Sequence, residues 1–356
     1  MPKNLIVCCD GTGNEFGDAN SNVIKLYSVL VNSQAQVTYY HPGLGTAGSK
    51  LALTRLARWW TKVLGLAFGY GLSDNIMDAY TFLMNEFEPG DQVFLFGFSR
   101  GAYTARALAA FLHMFGLIRR GNDGLVPYAI RRFKQKIKNA DSFDIAHQFK
   151  ATISRECKPH FIGVWDTVSS VGWLYDSLVL PFTAHNPDIA IGRHAISIDE
   201  RRCAFRQNLW QLGPGQDSKQ VWFAGVHCDI GGGYAEAESG LSKIALAWML
   251  REAKAAGLLV DPVKEAAIIG GQPPLVKPDP IAKMHNSLTA WWLPLELFPR
   301  RMWRTKNNPP YFEWVLPLGG RRYIQEPTTV HESVVSRKQQ TSYSPPNLPQ
   351  QFSIEK

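Results

Sequence analysis

The stretch VFLFGFSRGAYTARAL, residues 93–108, narrows the folds open to this chain more than any other. Its apolar start reads as a buried strand. From Arg100 to Leu117 helix-forming residues follow, with apolar ones at helical spacing. Between the two lies Gly97-Phe98-Ser99-Arg100-Gly101. Gly-x-Ser-x-Gly at a strand-to-helix turn is the pattern of a nucleophile elbow, in which a strained turn lifts the serine hydroxyl clear of a sheet. Small residues two before and two after the serine let helix and strand approach closely. The helix N-terminus favours negative charge beside the hydroxyl. The plainer alternative is a serine that only caps its helix.

The rest of the chain alternates in the same way. Leu5–Cys9 and Val37–Tyr40 read as strands, ending at Asp10-Gly11-Thr12-Gly13 and at His41-Pro42-Gly43. Val23–Val31, Leu72–Phe87 and Leu241–Ala256 carry helical patterns. Phe161–Trp165 reads as a strand ending at Asp166, and Gln220–Val226 as another ending at His227. Strands alternating with helices imply a mostly parallel central sheet with helices on both faces, an α/β-hydrolase-like fold. In such sheets ligands collect at the carboxyl ends of the strands, where Asp10, Ser99, Asp166 and His227 all fall. No internal repeat is visible. The whole chain, 1–356, is expected to form one domain, with lid-like or membrane-facing insertions near 48–70 and 258–320 and a loose tail near 340–356.

Composition bounds the function classes. Hydrophobic residues make up 45% of the 356, enough for a large core, and only 19% are charged. The net charge of +8 admits nucleic acid or an anionic membrane surface as a partner. The absence of zinc-finger spacing and of an aromatic RNP-like run argues against nucleic acid. The five cysteines, Cys8, Cys9, Cys157, Cys203 and Cys228, are odd in number and form no C-x-x-C. Neither a disulfide framework nor a zinc site is expected from them. The N-terminus, MPKNLIVCCDGTGN, lacks a signal-peptide layout, and no stretch reaches the roughly 18 apolar residues of a membrane span. The chain is expected to be cytoplasmic as synthesised, with any export using a route that needs no cleaved signal.

A serine hydroxyl is a poor nucleophile until a base takes its proton and a third group orients that base. The polar run DTVSS ends an apolar strand abruptly at Asp166, and His227 precedes a glycine run. The chain order Ser, Asp, His is that of an α/β-hydrolase. Ser99 is therefore the expected nucleophile, His227 the general base and then acid, and Asp166 the orienting carboxylate. His285 and His331 rival His227, because many hydrolases draw their histidine from a loop after a later strand. Asp229 rivals Asp166, although it suits an ordering role in the Gly231–Gly233 loop. Oxyanion donors are expected from the backbone N–H of Arg100 and from the turn at Gly11 and Thr12. These parts call for no metal and no organic cofactor.

Asp10 supports a competing idea. Asp-Gly-Thr at a strand end also resembles the phosphatase loop of haloacid dehalogenases. There the nucleophilic carboxylate stands two residues earlier, where this chain has Cys8. A metal-dependent phosphatase built on Asp10, Asp166, His227 and Asp229 would leave Ser99 unused. The Gly231–Gly233 loop lacks the Lys-Ser/Thr ending of a P-loop.

Taken in order, CCDGTGNEFGDANSNV, HPGLGTAG, AYTFLMNEFEPGDQVFLFGFSRGAYTARALAAFLHMFGLI, FIGVWDTVSSVG, VWFAGVHCDIGGGY, HESVVSR and YSPPNLP resemble a known set. It is an uncharacterised α/β-hydrolase domain family that includes one class of type VI secretion lipase effectors. The resemblance runs through nearly the whole chain. It implies a Ser-Asp-His triad, with Ser99 in GFSRG, Asp166 in GVWDTV and His227 in GVHCDIGGGY. It implies ester hydrolysis of a phospholipase A-like kind and an effector-like role in lipid degradation, while naming neither a secretion partner nor an immunity partner for this chain.

Two segments bear on the substrate. In LALTRLARWWTKVLGL, residues 51–66, the basic residues fall on one helical face and apolar ones on the other. Such a helix with Trp59 and Trp60 suits a membrane interface. AWWLPLELFPRRMWRTK, residues 290–306, mixes Trp291 and Trp292 with arginines in a way that also suits one. Packing of both segments against the core or a second copy is the plainer alternative. Three function classes follow: a lipid esterase, a hydrolase of small or polymeric non-lipid esters, and a binding scaffold that has kept the elbow.

Overall fold

The structure, a computed structural model, describes residues 2–11, 17–43, 71–135, 141–168, 172–173, 176–177, 180–211, 213, 215–304 and 311–356. Eight parallel strands form its central sheet. They are β1 (Asn4–Cys9), β2 (Gln36–His41), β3 (Gln92–Phe98), β4 (Pro159–Trp165), β5 (Ile191–Ser197), β6 (Asp217–Phe223), β7 (Thr329–His331) and β8 (Ser353–Glu355), lying in the order β8-β7-β6-β5-β4-β3-β1-β2. The order reverses beside β1, as in doubly wound sheets.

Side chains alternate across this sheet because successive Cβ atoms point to opposite faces. Leu5, Val7, Val93, Leu95, Ile162 and Val164 join one core, packed under the helices α2 (Leu72–Glu86) and α3 (Arg100–Phe115). Ile6, Cys8, Phe94, Phe96, Phe161 and Trp165 join the other, under α1 (Asn22–Val29) and α4 (Gly240–Ala255). Both faces are covered, so the central strands read as continuous apolar runs. All five cysteines are free; Cys8, Cys9 and Cys157 are buried in these two cores, and Cys203 is buried against Leu295.

Three sequence expectations need correction. The strands before Asp166 and His227 read as consecutive in the chain, yet β5 lies between them in both the chain and the sheet. Its sequence hides it: Gly192, Arg193 and His194 interrupt the apolar pattern. In the fold Arg193 is buried against Asp217 and Glu252, and His194 Nε2 accepts the Thr167 N–H at 3.2 Å. The strand before His227 runs from Asp217 to Phe223, so His227 opens a short helix, His227–Gly231, rather than ending the strand. The tail is not loose at its end. Ser353–Glu355 pairs with β7, and the Asn347 side chain donates to the Ile198 and Arg322 carbonyls. Within the expected insertion at 258–320, a helix spans Pro262–Gly270, and Arg300–Arg304 pairs antiparallel with Tyr311–Val315. The insertion expected near 48–70 lies outside the described residues.

A close backbone approach occurs at the serine turn. A Cβ on Gly101 would fall 2.1 Å from the Cys9 carbonyl oxygen, and one on Gly97 2.4 Å from that of Gly101. Neither neighbour is a side chain that can move aside. Gly101→Ala should therefore lower stability by about 3 kcal/mol, at the upper end for overpacking, read as a fall in the denaturant midpoint of the purified protein.

Candidate active site

Strand pairing sets the positions of the chemistry. In register, Gly97 of β3 faces Cys9 of β1, Phe98 faces Trp165 of β4, and Trp165 faces Ala195 of β5. Pairing continues one residue past the strands: Ser99 donates its N–H to the Trp165 carbonyl and Asp166 to that of Ala195. Ser99 and Asp166 thus sit side by side on the carboxyl edge. Both turn sharply there, with φ of 59° and 38°, values that only a strongly held side chain other than glycine adopts.

His227 closes the gap between them. The Ser99 Oγ–H donates to His227 Nε2 at 2.8 Å, and His227 Nδ1–H donates to Asp166 Oδ2 at 2.5 Å. Ser99 is the residue before α3, yet its side chain makes no capping hydrogen bond. The reading of Ser99 as a mere cap is thereby corrected. The His227 backbone is held as well, its N–H donating to Glu200 at 3.2 Å. The rings of Phe98 and Phe205 lie 4.6 and 4.8 Å from the imidazole and shut water away from it.

This dry setting shapes the electrostatics. Burial pushes the His227 imidazole below its ordinary range, against the pull of Asp166, so the ring is neutral at pH 7 and able to accept a proton. Burial alone would raise Asp166, but the Arg322 charge and the His227 hydrogen bond outweigh it and hold the carboxyl well below the usual range. Arg322 spans both carboxylate oxygens, at 2.5 and 3.0 Å. Glu200 follows the same pattern: burial opposes ionisation, and Arg202 brings it down to about 2. Ser287 adds a hydroxyl bond to Glu200 at 2.9 Å.

The remaining expected residues are placed elsewhere. Asp229 joins His285 instead of the serine cluster: His285 Nδ1 lies 2.7 Å from Asp229 Oδ1, and Tyr234 stacks on the imidazole at 3.6 Å. Nor does Asp229 shape the glycine loop. Gly231 is small because a Cβ there would fall 1.9 Å from the Phe98 ring, and Gly232 because it packs on the Ser21–Asn22 backbone. His331 caps the helix Glu332–Gln340 through the Ser333 N–H and stacks on Phe223. The Asp10 carboxylate takes bonds from Ser21 Oγ at 2.5 Å and Tyr40 OH at 3.0 Å. Its other oxygen accepts the Gly11 N–H at 2.6 Å, so this amide, expected as an oxyanion donor, is turned away from that task. Thr12 lies outside the described residues, and Arg100 heads α3 directly after Ser99. Among the described residues, no group of three or more His, Cys, Asp or Glu is placed to hold a metal ion. The four residues of the phosphatase reading are therefore not one ligand set.

Sequence reasoning missed Arg322, Glu200, Arg202 and Phe205. Arg322 follows exposed Arg321 in an ordinary basic pair, and no local signal separates the buried member from the solvated one.

A parallel sheet wound on both faces, with a strained serine turn at its carboxyl edge, defines an α/β-hydrolase-like domain. A family model described as "T6SS, Phospholipase effector Tle1-like, catalytic domain" matches residues 3–252. The chain belongs to this family. It is 38% identical over 224 residues to an uncharacterised Saccharomyces cerevisiae protein, YEL023C, a match covering 58% of this chain and 32% of the yeast protein. The match thus spans about a third of that relative's length. Among solved structures, an uncharacterised protein from Pseudomonas aeruginosa aligns with TM-score 0.46 and 19% identity, over 74% of this chain and 48% of its own. The structure of the Tle1 effector bound to the VgrG spike of the type VI secretion system aligns with TM-score 0.37 and 19% identity, over 68% and 53%.

Proposed function

We propose that this chain is a serine carboxylic ester hydrolase of the phospholipase A-like kind, with Ser99 as nucleophile, His227 as base and acid, and Asp166 as orienter. One observation carries the reading: the unbroken hydrogen-bond chain Ser99 Oγ, His227 Nε2, His227 Nδ1, Asp166 Oδ2, at 2.8 and 2.5 Å. Membership of the phospholipase effector family supports the lipid substrate.

The steps follow from the groups. His227 Nε2 takes the Ser99 proton as Oγ bonds to the ester carbonyl carbon. The carbonyl oxygen becomes an oxyanion beside the N-terminus of α3, where the Arg100 N–H is the nearest donor in sequence. The imidazolium then protonates the departing alcohol and the acyl group stays on Oγ. Water, deprotonated by the same histidine, attacks the acyl carbon and releases the acid, returning the proton to Ser99. Throughout, ionised Asp166 stabilises the imidazolium.

An apolar wall supports a lipid surface as the partner. Phe205, against His227, meets the half-buried Trp292 edge-on at 5.4 Å. Next to Trp292 along the chain stand Trp291, Leu293, Leu297 and Phe298, each at least half exposed. Trp59 and Trp60, the other expected membrane contacts, lie outside the described residues. No helix among the described residues is long and apolar enough to cross a membrane.

Ser99→Ala and His227→Ala should each cut turnover of a soluble p-nitrophenyl ester by about 10³-fold or more, with unchanged circular dichroism. His285→Ala should keep the rate; the reverse ranking of the two histidines would sink the assignment. Because protonated His227 cannot act as base and burial lowers its pKa, kcat/KM should be flat near neutrality. It should fall with acidity only below about pH 6.5, the ordinary imidazole value, and an acid limb above that would contradict the dry site. Phospholipid vesicles should be cleaved alongside the soluble ester. Trp291→Ser should lower vesicle hydrolysis about tenfold more than ester hydrolysis, the factor that about 1.4 kcal/mol of interfacial binding carries. Cleavage of the soluble ester alone would leave the chemistry and remove the lipid.

A further inference from the structure

We infer that Arg322 is a positioning residue of this site, a planar clamp on both oxygens of Asp166 that aims the carboxylate at His227 Nδ1. The inference rests on the serine hydrolase reading. Its ground is geometry. Arg322 Nη1 meets Asp166 Oδ1 at 2.5 Å and Nη2 meets Oδ2 at 3.0 Å, a bidentate fork that lysine cannot copy. Both partners are buried, Asp166 completely. The guanidinium is itself tied down, Nη1 donating to the Ser197 carbonyl at 3.0 Å and Nη2 to that of Phe205. The first tie fixes it to the end of β5. The second fixes it to the loop whose aromatic ring lies against His227.

Asp166 needs such a partner. It stands at positive φ, fully enclosed, and without Arg322 its carboxylate keeps the Ser197 N–H at 3.0 Å and the His227 ring. A buried carboxylate with its cation removed is strongly disfavoured. The clamp also sets the charge around the imidazole. Facing His227 are Asp166 and Glu200, with Arg322 and Arg202 paired to them, while Arg100 stands on the serine turn and Cys228 and Asp229 follow on its own short helix. His194, behind Asp166, is kept neutral by burial, which pushes it down to about 3. The two arginine–carboxylate pairs balance. Taking away the Arg322 charge leaves an excess negative charge beside the ring, which favours imidazolium and moves its titration to higher pH.

The test uses the full chain and a soluble p-nitrophenyl ester, with pH profiles for wild type, Arg322→Gln, Arg322→Lys and Ser99→Ala, each checked by circular dichroism. Arg322→Gln should lower kcat about 100-fold, the scale of a misplaced catalytic group, with KM little changed and the acid limb moved to higher pH. Arg322→Lys, which keeps the charge and loses the fork, should hold the wild-type acid limb and recover part of kcat. A Gln variant with wild-type kcat and acid limb, whatever its melting temperature, would overturn the inference, as would a Lys variant sharing the Gln variant's shifted limb. Should the Gln variant not fold, a Lys variant with lowered kcat and unmoved limb supports the role, and one with unchanged kcat refutes it. Ser99→Ala separates the two levels. If it retains activity, the hydrolase reading falls and this inference with it; if it is inactive while Arg322→Gln behaves as wild type, the inference alone falls.

Discussion

The architecture depends on one close backbone approach, that of α3 onto the ends of β1 and β3 at Gly101 and Gly97. With carbonyl oxygens where Cβ atoms would stand, the chain can pass from strand to helix in one residue. That residue, Ser99, must take a positive φ to do so. The strain is held by the sheet register on one side and the buried face of α3 on the other, a cost that the surrounding packing offsets. The hydroxyl then points away from the helix it precedes and toward His227. A looser turn would let Ser99 cap α3, and its hydroxyl would no longer meet His227.

Around the serine, the fold uses buried charge in matched pairs. Two carboxylates flank His227: Asp166 holds the ring and Glu200 the backbone. Each is answered by an arginine from another part of the chain or turn, Arg322 and Arg202. An isolated buried carboxylate would protonate instead of ionising. Paired, both stay charged, and the histidine between them stays neutral because its own burial outweighs its carboxylate neighbour. These settings suit a proton acceptor at neutral pH that must become a cation only for the lifetime of the reaction.

The chain beyond residue 252, the end of the family match, is tied into this arrangement. It carries Arg322, the Ser287 hydroxyl on Glu200, the Trp292 ring against Phe205, and the two strands that extend the sheet past β6. His285 binds Asp229 on the short helix that begins with His227. The same segment holds the exposed aromatic and aliphatic side chains from Trp291 to Phe298. The proposed substrate contact and the groups that hold the Asp166 carboxylate are thus joined by a few side chains.

The sequence by itself determined the alternation of strand and helix, the glycine-flanked serine, and the ranking of Ser99, Asp166 and His227 as residues at one edge. Parallel strands send their carboxyl ends to one side, so polar residues closing apolar runs converge without any knowledge of strand order. Tertiary structure alone decided that order. β5 was concealed because its Arg193 and His194 look exposed in sequence, and become tolerable inside through partners that include Asp217, Glu252 and the Thr167 N–H. It also decided that Asp10 closes on Gly11, that Asp229 serves His285, and that the last residues pair as a strand. Arg322 lies 156 residues from Asp166. Pattern and propensity describe neighbours along the chain, whereas the pairing of a buried charge is set by whichever distant group the folded sheet brings within hydrogen-bond reach.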